Sequence, residues 1–332
     1  MNTPARPSVL TFLSAWSGYL LAMGGAFLFA SKGIWIKLAY NYPIDASALM
    51  AVRLTLATPF FVVFGLMTWW HRRRSGRDDL PRLLDRPGLY LKAMSVGALG
   101  YWLAAYTDFA SLETLSPQFE RLILFTYPLF VILLGAVIFK QPMRPTALWA
   151  FLVAYVGLGF VFVTDLKAHG SAIAIGAMWC TVSSVVFATY LLLAKPMIGR
   201  LGASLFTSWA MIGAALMMAL HFFCVHRLSD IHMTKTLFWL CLGLAIGATV
   251  LPSYLTNFAL GRISSQANAI ISFINPVFTL ILSALILRQA ISIADIAGTM
   301  LVITGVGLYT WLDKRAAQIA PTPVQAPSSS RG

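Results

Sequence analysis

The chain has 332 residues, of which 59% are hydrophobic and only 11% are charged, and its mean hydropathy is +0.78. Soluble domains carry about 25% charged residues, so this composition excludes an ordinary soluble protein. Apolar runs long enough to cross the hydrocarbon core as helices recur along the chain, for example at 171–194 and 236–261. They favour a polytopic α-helical membrane protein over a β-barrel, whose strands would alternate in short segments.

Ten transmembrane helices fit the apolar runs in chain order. They cover residues 18–40, 46–70, 89–111, 116–139, 146–164, 173–195, 202–224, 236–260, 265–287 and 292–312. We therefore predict an all-α integral membrane protein with five helices in residues 18–164 and five in residues 173–312. Residues 1–17 are expected to form a cytoplasmic N-terminal segment. Residues 313–332, rich in Pro, Ser and Ala, are expected to form a disordered cytoplasmic tail.

The net charge of +13 is unevenly distributed between the predicted loops. If the N-terminus is cytoplasmic, sixteen of the 24 Lys and Arg fall in inside segments, four fall in outside segments and four lie within helices. Lys and Arg concentrate in the cytoplasmic loops of membrane proteins. The pattern predicts a multi-pass protein of a bacterial-type inner (plasma) membrane with both termini in the cytoplasm. It also explains the basic charge without a nucleic acid partner.

An internal repeat is centred on two prolines, Pro128 and Pro276, which lie 148 residues apart in charge-free runs. Twelve residues after each proline comes a basic residue followed by glutamine, at Lys140 and Arg288, and a Gly-x-Gly sequence follows further on. Each copy holds five helices, an odd number, so the second copy enters the membrane from the opposite side. Such inverted repeats are typical of transporters that work by alternating access.

These features resemble the EamA family of the drug/metabolite transporter superfamily. The matching residues are Gly33-Ile-Trp-Ile-Lys37 in the first helix, Arg53 in the second, the helices of Pro128 and Pro276, and the Gly-x-Gly pairs that begin at Gly157 and Gly305. The resemblance covers about residues 18–312 and implies a five-plus-five arrangement of helices, without naming a substrate. Family members commonly have Glu thirteen residues after each proline, where this chain has Gln141 and Gln289.

Five charged residues lie in the outer part of the first repeat: Lys32, Arg53, Asp108, Glu120 and Arg121. Charges in the hydrocarbon are costly and face a partner or an interior. One interpretation is a static ion-pair cluster that packs the first four helices. The other is an outer gate and anion-attracting vestibule, in which Lys32, Arg53, Asp108 and Glu120 are the gate or proton-coupling candidates. Glu120 is the preferred proton acceptor, because a carboxylate that loses its cation in a dry site takes up a proton.

Neutral polar and aromatic residues are predicted to line a substrate path through the protein. Asn275 and Tyr127 each precede a proline, which frees the carbonyl group four residues back near the membrane midplane. Tyr190 and Trp209 stand where the first repeat has two of its charges. The substrate-path candidates are Tyr101, Tyr127, Tyr190, Trp209, Ser272 and Asn275. Interhelical hydrogen bonding alone could also explain the Ser and Thr residues nearby.

No sequence motif for an enzyme is present: HExxH, GxSxG and Walker A patterns are all missing. The three cysteines have no CxxC spacing, so no metal site, cofactor or catalytic residue is predicted. The expected function is secondary transport of a small organic metabolite, such as an amino acid or organic acid, with protons as a candidate coupling ion. We expect a monomer or homodimer in the bilayer. The alternatives are a membrane-embedded lipid-modifying enzyme and a non-transporting scaffold or sensor.

Overall fold

The computed structural model describes residues 9–74, 87–140, 145–260, 262–263, 271 and 274–319. Within these ranges the chain is helical and contains no strand. The first half holds α1 (Val9–Ala30), α2 (Lys32–Ala39), α3 (Ala46–Arg74), α4 (Pro87–Gly97), α5 (Ala105–Ser111), α6 (Pro117–Leu124), α7 (Tyr127–Phe139) and α8 (Pro145–His169). The second half holds α9 (Ala172–Leu201), α10 (Ala203–Val225), α11 (Lys235–Leu242), α12 (Leu251–Leu260), α13 (Asn275–Ile286) and α14 (Ile293–Ile319).

Six stretches in the described ranges are long and apolar enough to cross a membrane. They are Trp16–Ala39, Ala46–Arg74, Pro117–Ile138, Ala172–Leu201, Ala203–Val225 and Lys235–Thr256. Large apolar side chains such as Leu20, Val137 and Leu285 are exposed on the outside of the helices, where lipid would cover them. The prediction of an all-α membrane protein is confirmed for the residues that the structure describes.

Several predicted helices are interrupted. The first breaks at Ser31, between α1 and α2, and the fourth breaks between α6 and α7, just before Tyr127. Two others contain π-helical segments, Ala98–Ala104 and Gly243–Val250. The prolines were expected within continuous helices, but Pro128 and Pro276 each lie in the first turn of a new helix. The first turn suits proline because its missing N–H would have no helical partner there.

Helix ends also differ from the predicted limits. Helix α1 begins at Val9, inside the segment predicted to precede the membrane, and α9 continues through Pro196 to Leu201. Helix α14 extends to Ile319, into the tail that was expected to be disordered; residues 320–332 lie outside the described ranges.

The two halves of the chain pack against each other through long helix pairs. Helix α14 packs along α8, α10 packs on α3 and α4, and α1 packs on α12. The α8–α14 contact is close because Gly157 and Gly298 face each other. A Cβ atom at Gly157 would lie 3.0 Å from the carbonyl oxygen of Gly298. Small residues of this kind let membrane helices approach closely.

Candidate functional site

An ion-pair cluster lies where α2, α5 and α6 meet. The ammonium group of Lys32 contacts the carboxylate of Asp108 and lies 3.4 Å from Oε1 of Glu120. The Nε atom of Arg121 lies 3.9 Å from Oε2 of the same glutamate. Glu120 is 0% exposed and Asp108 is 3% exposed. Three of the four predicted gate residues are therefore brought together, and the two carboxylates of the cluster are buried while Lys32 and Arg121 are partly exposed.

The local structure of α2 and α6 positions Lys32 and Glu120 in this cluster. The break at Ser31 places Lys32 in the first turn of α2. Ser116 caps α6 by accepting a hydrogen bond from the backbone N–H of Phe119 at 3.3 Å, with Glu120 in the first turn. Gly33 allows α2 to approach α6, since a Cβ atom there would lie 3.0 Å from Cβ of Pro117. A larger residue at this position would push Lys32 away from its carboxylates.

The cluster is held by charge more than by well-formed hydrogen bonds. Oδ1 of Asp108, both carboxylate oxygens of Glu120 and Nε of Arg121 are buried without a hydrogen-bond partner. Arg121 donates from its terminal nitrogen to the carbonyl oxygen of Phe29 at 3.1 Å. Buried polar atoms are usually paired, so these unpaired oxygens indicate a site that accepts other partners when helices or ligands move.

Arg53, the fourth predicted gate residue, lies apart from this cluster. Its Nε atom donates a hydrogen bond to the hydroxyl of Thr249 at 3.1 Å, and its guanidinium carbon lies 5.2 Å from the centre of the Phe109 ring. Asp108 lies close enough to attract Arg53 electrostatically, but the two side chains form no ion pair. Among the described residues, Arg53 is therefore the gate candidate that does not belong to the ion-pair cluster.

Aromatic residues form a continuous row beside these charges. Tyr190 and Tyr101 share a hydrogen bond of 3.2 Å between their hydroxyls. Phe187 stacks on Tyr190, with ring centres 5.7 Å apart, and contacts Tyr127 edge-on at 5.2 Å. Three predicted substrate-path residues therefore belong to one row, and Phe187, which the sequence analysis missed, connects them. Only its place three residues before Tyr190, on the same helical face, could have indicated it.

The remaining path candidates are placed separately. Trp209 contacts Tyr90 with ring centres 5.1 Å apart, in the same apolar cluster as Tyr190. Asn275 is the first residue of α13, and its Oδ1 atom is buried without a hydrogen-bond partner. One turn later, the hydroxyl of Thr279 donates to the carbonyl oxygen of Ala30 at the break between α1 and α2. Ser272 lies outside the described residues.

A cavity of about 590 Å³ opens at the ends of these helices. Its ionisable lining residues include Asp45, Glu113, Asp230, His226 and His232. His226 contacts Asp45 at 2.9 Å, and the backbone N–H of Arg227 donates to Asp230, which lowers the pKa of that carboxyl group. The sequence suggested an anion-attracting vestibule at this end. The described lining is instead rich in carboxylates, and the cations lie deeper along α2 and α3.

Cysteine and other possible metal ligands are scattered in the part of the chain that the structure describes. Among the described residues, no group of three or more His, Cys, Asp or Glu side chains is positioned to hold one. Cys180 is buried and donates to the backbone carbonyl oxygen of Glu120 at 3.4 Å, which gives it a packing contact with the cluster.

Comparison with known proteins identifies the family of this chain. The model of the EamA-like transporter family matches residues 16–163 and again residues 174–311. The uncharacterized transporter YcbK of Bacillus subtilis (strain 168) is 28% identical over 300 residues, which cover 88% of this chain and 93% of that relative. A protein of known crystal structure superposes with a TM-score of 0.59 over 90% of this chain and 99% of its own. At 17% identity, that likeness shows the fold alone.

The resemblance seen in the sequence is thereby confirmed. The two matched segments span most of the chain and include every residue of the ion-pair cluster and of the aromatic row. The chain belongs to the EamA-like transporter family and is a multi-pass membrane transporter of the drug/metabolite type.

Proposed function

We propose that this protein is a ten-helix secondary transporter that moves a small organic metabolite, of the amino-acid or organic-acid type, by alternating access. In this proposal residues 18–164 and 173–312 form two inverted five-helix repeats. The two matches to the same family model support the division, because each covers about one proposed repeat. A drug/metabolite transporter with no nucleotide-binding motif suits transport driven by gradients rather than by ATP.

Backbone features at equivalent positions support the repeat. Lys140 and Arg288 are the non-glycine residues with positive φ in the described chain, at 52° and 54°, and they lie 148 residues apart. The π-helical segments Ala98–Ala104 and Gly243–Val250 occupy corresponding helices of the two halves. Left-handed backbone and π-helix are both uncommon for ordinary residues, so their occurrence in pairs is poorly explained by chance.

The packing of the two halves supports the inversion. Helix α1 packs on α12, the end of the segment after the second π-helix, and α9 packs on α5, which follows the first π-helix. If each helix is replaced by its counterpart in the other half, the α1–α12 contact becomes the α9–α5 contact. The pairs α3–α10 and α8–α14 each consist of two counterparts, so they remain the same pairs. This is the relation that a pseudo-twofold axis would produce, and with an odd number of helices in each proposed repeat such an axis lies in the membrane plane.

The observation that carries the proposal is the meeting of interrupted helices around buried polar groups. The breaks before α2 and α7, the first turn of α13 and both π-helical segments adjoin the ion-pair cluster, Arg53 or the aromatic row. Discontinuous helices near the midplane form the binding sites of many secondary transporters. Irregular backbone inside a membrane is tolerated where it lines a cavity or is covered by protein.

In the transport cycle that we propose, the cluster of Lys32, Asp108 and Glu120 is the gate. Its ion pairs form when the outer side of the transporter is closed and separate when that side opens. The reason is that attraction between charges strengthens as water leaves. Glu120 is then the proton-coupling residue, since it loses its cations on opening. We place the protein in a bacterial-type inner membrane with both termini in the cytoplasm, on the distribution of Lys and Arg, as a monomer or homodimer.

Uptake into sealed vesicles that contain the purified protein tests this function. A metabolite that raises the melting temperature of the protein in a ligand screen serves as the transported compound. We expect Asn275→Ala and Tyr127→Phe to lower uptake at least several-fold, while Asn41→Ala and Tyr19→Phe, which change exposed residues, leave it unchanged.

The outcome separates the proposal from its rivals. Wild-type uptake by both site variants would move the substrate path elsewhere in the protein. A stabilising metabolite that is bound but never enters vesicles would favour the sensor or scaffold. A compound recovered in altered chemical form would favour the membrane-embedded enzyme.

A further inference from the structure

The five charged residues around the ion-pair cluster do not balance. Three cations, Lys32, Arg53 and Arg121, face two anions, Asp108 and Glu120. Ion-pair contacts involve Lys32 with both anions and Arg121 with Glu120. Arg53 is therefore the cation left over, and the structure identifies which of the three it is. It is only 6% exposed.

The side chain of Arg53 is held by one nitrogen and presents the others. Thr249 accepts a hydrogen bond from its Nε atom, while the proton of the Thr249 hydroxyl is donated to the carbonyl oxygen of Leu244 at 3.0 Å. That carbonyl lies five residues back, within the π-helical segment. Among the described contacts, the two terminal guanidinium nitrogens have no hydrogen-bond acceptor. Thr249 thus fixes the direction of the guanidinium plane and leaves its forked end unoccupied.

An arrangement of this kind is costly without an anion. An arginine side chain remains charged at physiological pH, and burying an unpaired charge is strongly unfavourable. The Phe109 ring offsets part of this cost, because a cation near an aromatic face is attracted by it. The ring nonetheless supplies no acceptor for the terminal N–H groups. Those two nitrogens match the spacing of the two oxygens of a carboxylate, which arginine binds through parallel hydrogen bonds.

The same π-helical segment is packed closely on one face and open on another. A Cβ atom added at Gly247 would have no atom within 4 Å, whereas one added at Gly243 would clash with the ring of Trp35 at 2.6 Å. Of these two glycines, only Gly243 lies at a close helix contact. Tyr101 belongs to the aromatic row through its hydrogen bond and ring contact with Tyr190.

We infer that Arg53 binds the carboxylate group of the transported substrate, with Thr249 orienting the guanidinium group toward it. This inference rests on the proposed transport function and narrows it to substrates that carry a carboxylate. The rest of the substrate lies toward Tyr101 and Tyr190, whose rings and hydroxyls offer an apolar surface with polar edges. When the site is empty, Arg53 is an uncompensated charge, so binding of the anion stabilises the folded protein.

Thermal unfolding of the purified protein tests this assignment with three matched pairs of probes: acetate and acetamide, phenylacetate and phenylacetamide, and L-leucine and L-leucinamide. We expect at least one acid, and none of the amides, to raise the melting temperature of the wild type. Arg53→Met should remove that shift, and Arg53→Lys should weaken the apparent affinity about tenfold, because lysine keeps the charge but lacks the fork. Thr249→Val should weaken binding several-fold while leaving the charge in place.

Stability without ligand provides a second readout. If Arg53 is a ligand-binding residue, Arg53→Met should have a melting temperature equal to or higher than that of the wild type when no ligand is present. The reason is that the apolar side chain removes a buried charge without an ion-pair partner. A clear decrease would show that Arg53 has a packing role, and it would overturn the inference. A carboxylate shift that survives in Arg53→Met would also overturn it, as would the lack of any acid-specific shift in the wild type.

Failure of the transport proposal gives a different pattern. In that case the acid still stabilises the wild type and loses its effect in Arg53→Met, but the same acid does not accumulate in vesicles. Arg53 would then be a carboxylate-binding residue of a protein that does not transport its ligand.

Discussion

Replacing Glu120 by Gln is the most direct test of the ion-pair cluster. The substitution keeps the shape of a side chain that is completely buried and removes only its negative charge. Lys32 keeps Asp108 as a partner, and Arg121 keeps the carbonyl oxygen of Phe29. The surplus of positive charge among the buried residues rises from one to two.

The size of the effect follows from the distances. Two unit charges 3.4 Å apart, as Lys32 and Glu120 are, attract by about 5 kcal/mol at an effective dielectric constant of about 20. The lost attraction is partly offset, because Gln avoids the cost of burying a charged carboxylate. Removing one partner of a buried ion pair lowers the free energy of unfolding by about 3–5 kcal/mol. Because Lys32 and Arg121 keep other partners, we expect a loss near the lower end of that range. At roughly 2 °C per kcal/mol, the melting temperature should fall by about 6 °C.

A double-mutant cycle with Lys32→Met separates the pair from general disruption. In the wild type, loss of Lys32 leaves two buried carboxylates without their main cation, but in the Glu120→Gln background it leaves one. Lys32→Met should therefore cost about 1–3 kcal/mol less in that background. The measurement is thermal unfolding of purified variants followed by fluorescence-detected size exclusion. Glu113→Gln, a change at an exposed carboxylate, is the matched control and should be nearly neutral.

Additivity within about 0.5 kcal/mol would refute the reasoning. Lys32 and Glu120 would then be neighbours without energetic coupling, and neither the gate nor the static cluster would explain their burial. If coupling is found, uptake distinguishes the two. A gate predicts altered uptake and altered pH dependence in Glu120→Gln at temperatures where the protein is folded, whereas a static cluster predicts neither.

Three further predictions concern backbone and topology. Gly100→Ala should lower stability and uptake, because its Cβ atom would lie 2.4 Å from the ring of Tyr190, and Tyr190→Ala should restore part of the loss of stability. Lys140→Gly and Arg288→Gly should each raise stability by about 1 kcal/mol in thermal unfolding, because glycine adopts positive φ without strain; a decrease in both would contradict this. In a background without the native cysteines, Ser229→Cys should react with an impermeant reagent in whole cells, and labelling only after permeabilisation would reverse the proposed orientation.

The sequence was sufficient to predict the helical class and to group three residues that meet in the ion-pair cluster, while the repeat remains a prediction. These features depend on composition, on periodicity and on the high cost of charge in hydrocarbon, and all three can be read from the sequence without knowing which helices are in contact. Lys32, Asp108 and Glu120 were grouped from their depth along three helices, and the structure brings them into contact.

Other features could not be predicted in this way. Arg53 was grouped with the other gate candidates, but its hydrogen-bond partner is a hydroxyl 196 residues away, on a helix of the other half. Phe187 is an ordinary apolar residue until Tyr127 and Tyr190 are placed on either side of it. The π-helical segments have no local sequence signal comparable to a proline, since packing between helices determines where an extra residue is accommodated in a turn.

The π-helical segment Ala98–Ala104 also changes which residues of the third predicted helix share a face. In an uninterrupted α-helix, Tyr90 and Asp108 would share a face, because eighteen residues make five turns. A π turn includes one more residue than an α turn, which offsets the two ends of the helix by roughly 100°. Tyr90 accordingly packs against Trp209, while Asp108 contacts Lys32. One helix thus presents an aromatic face to the second half of the chain and an acidic face to the first. Removing a single residue from the π segment would rotate these faces away from their partners without altering any side chain that makes the contacts.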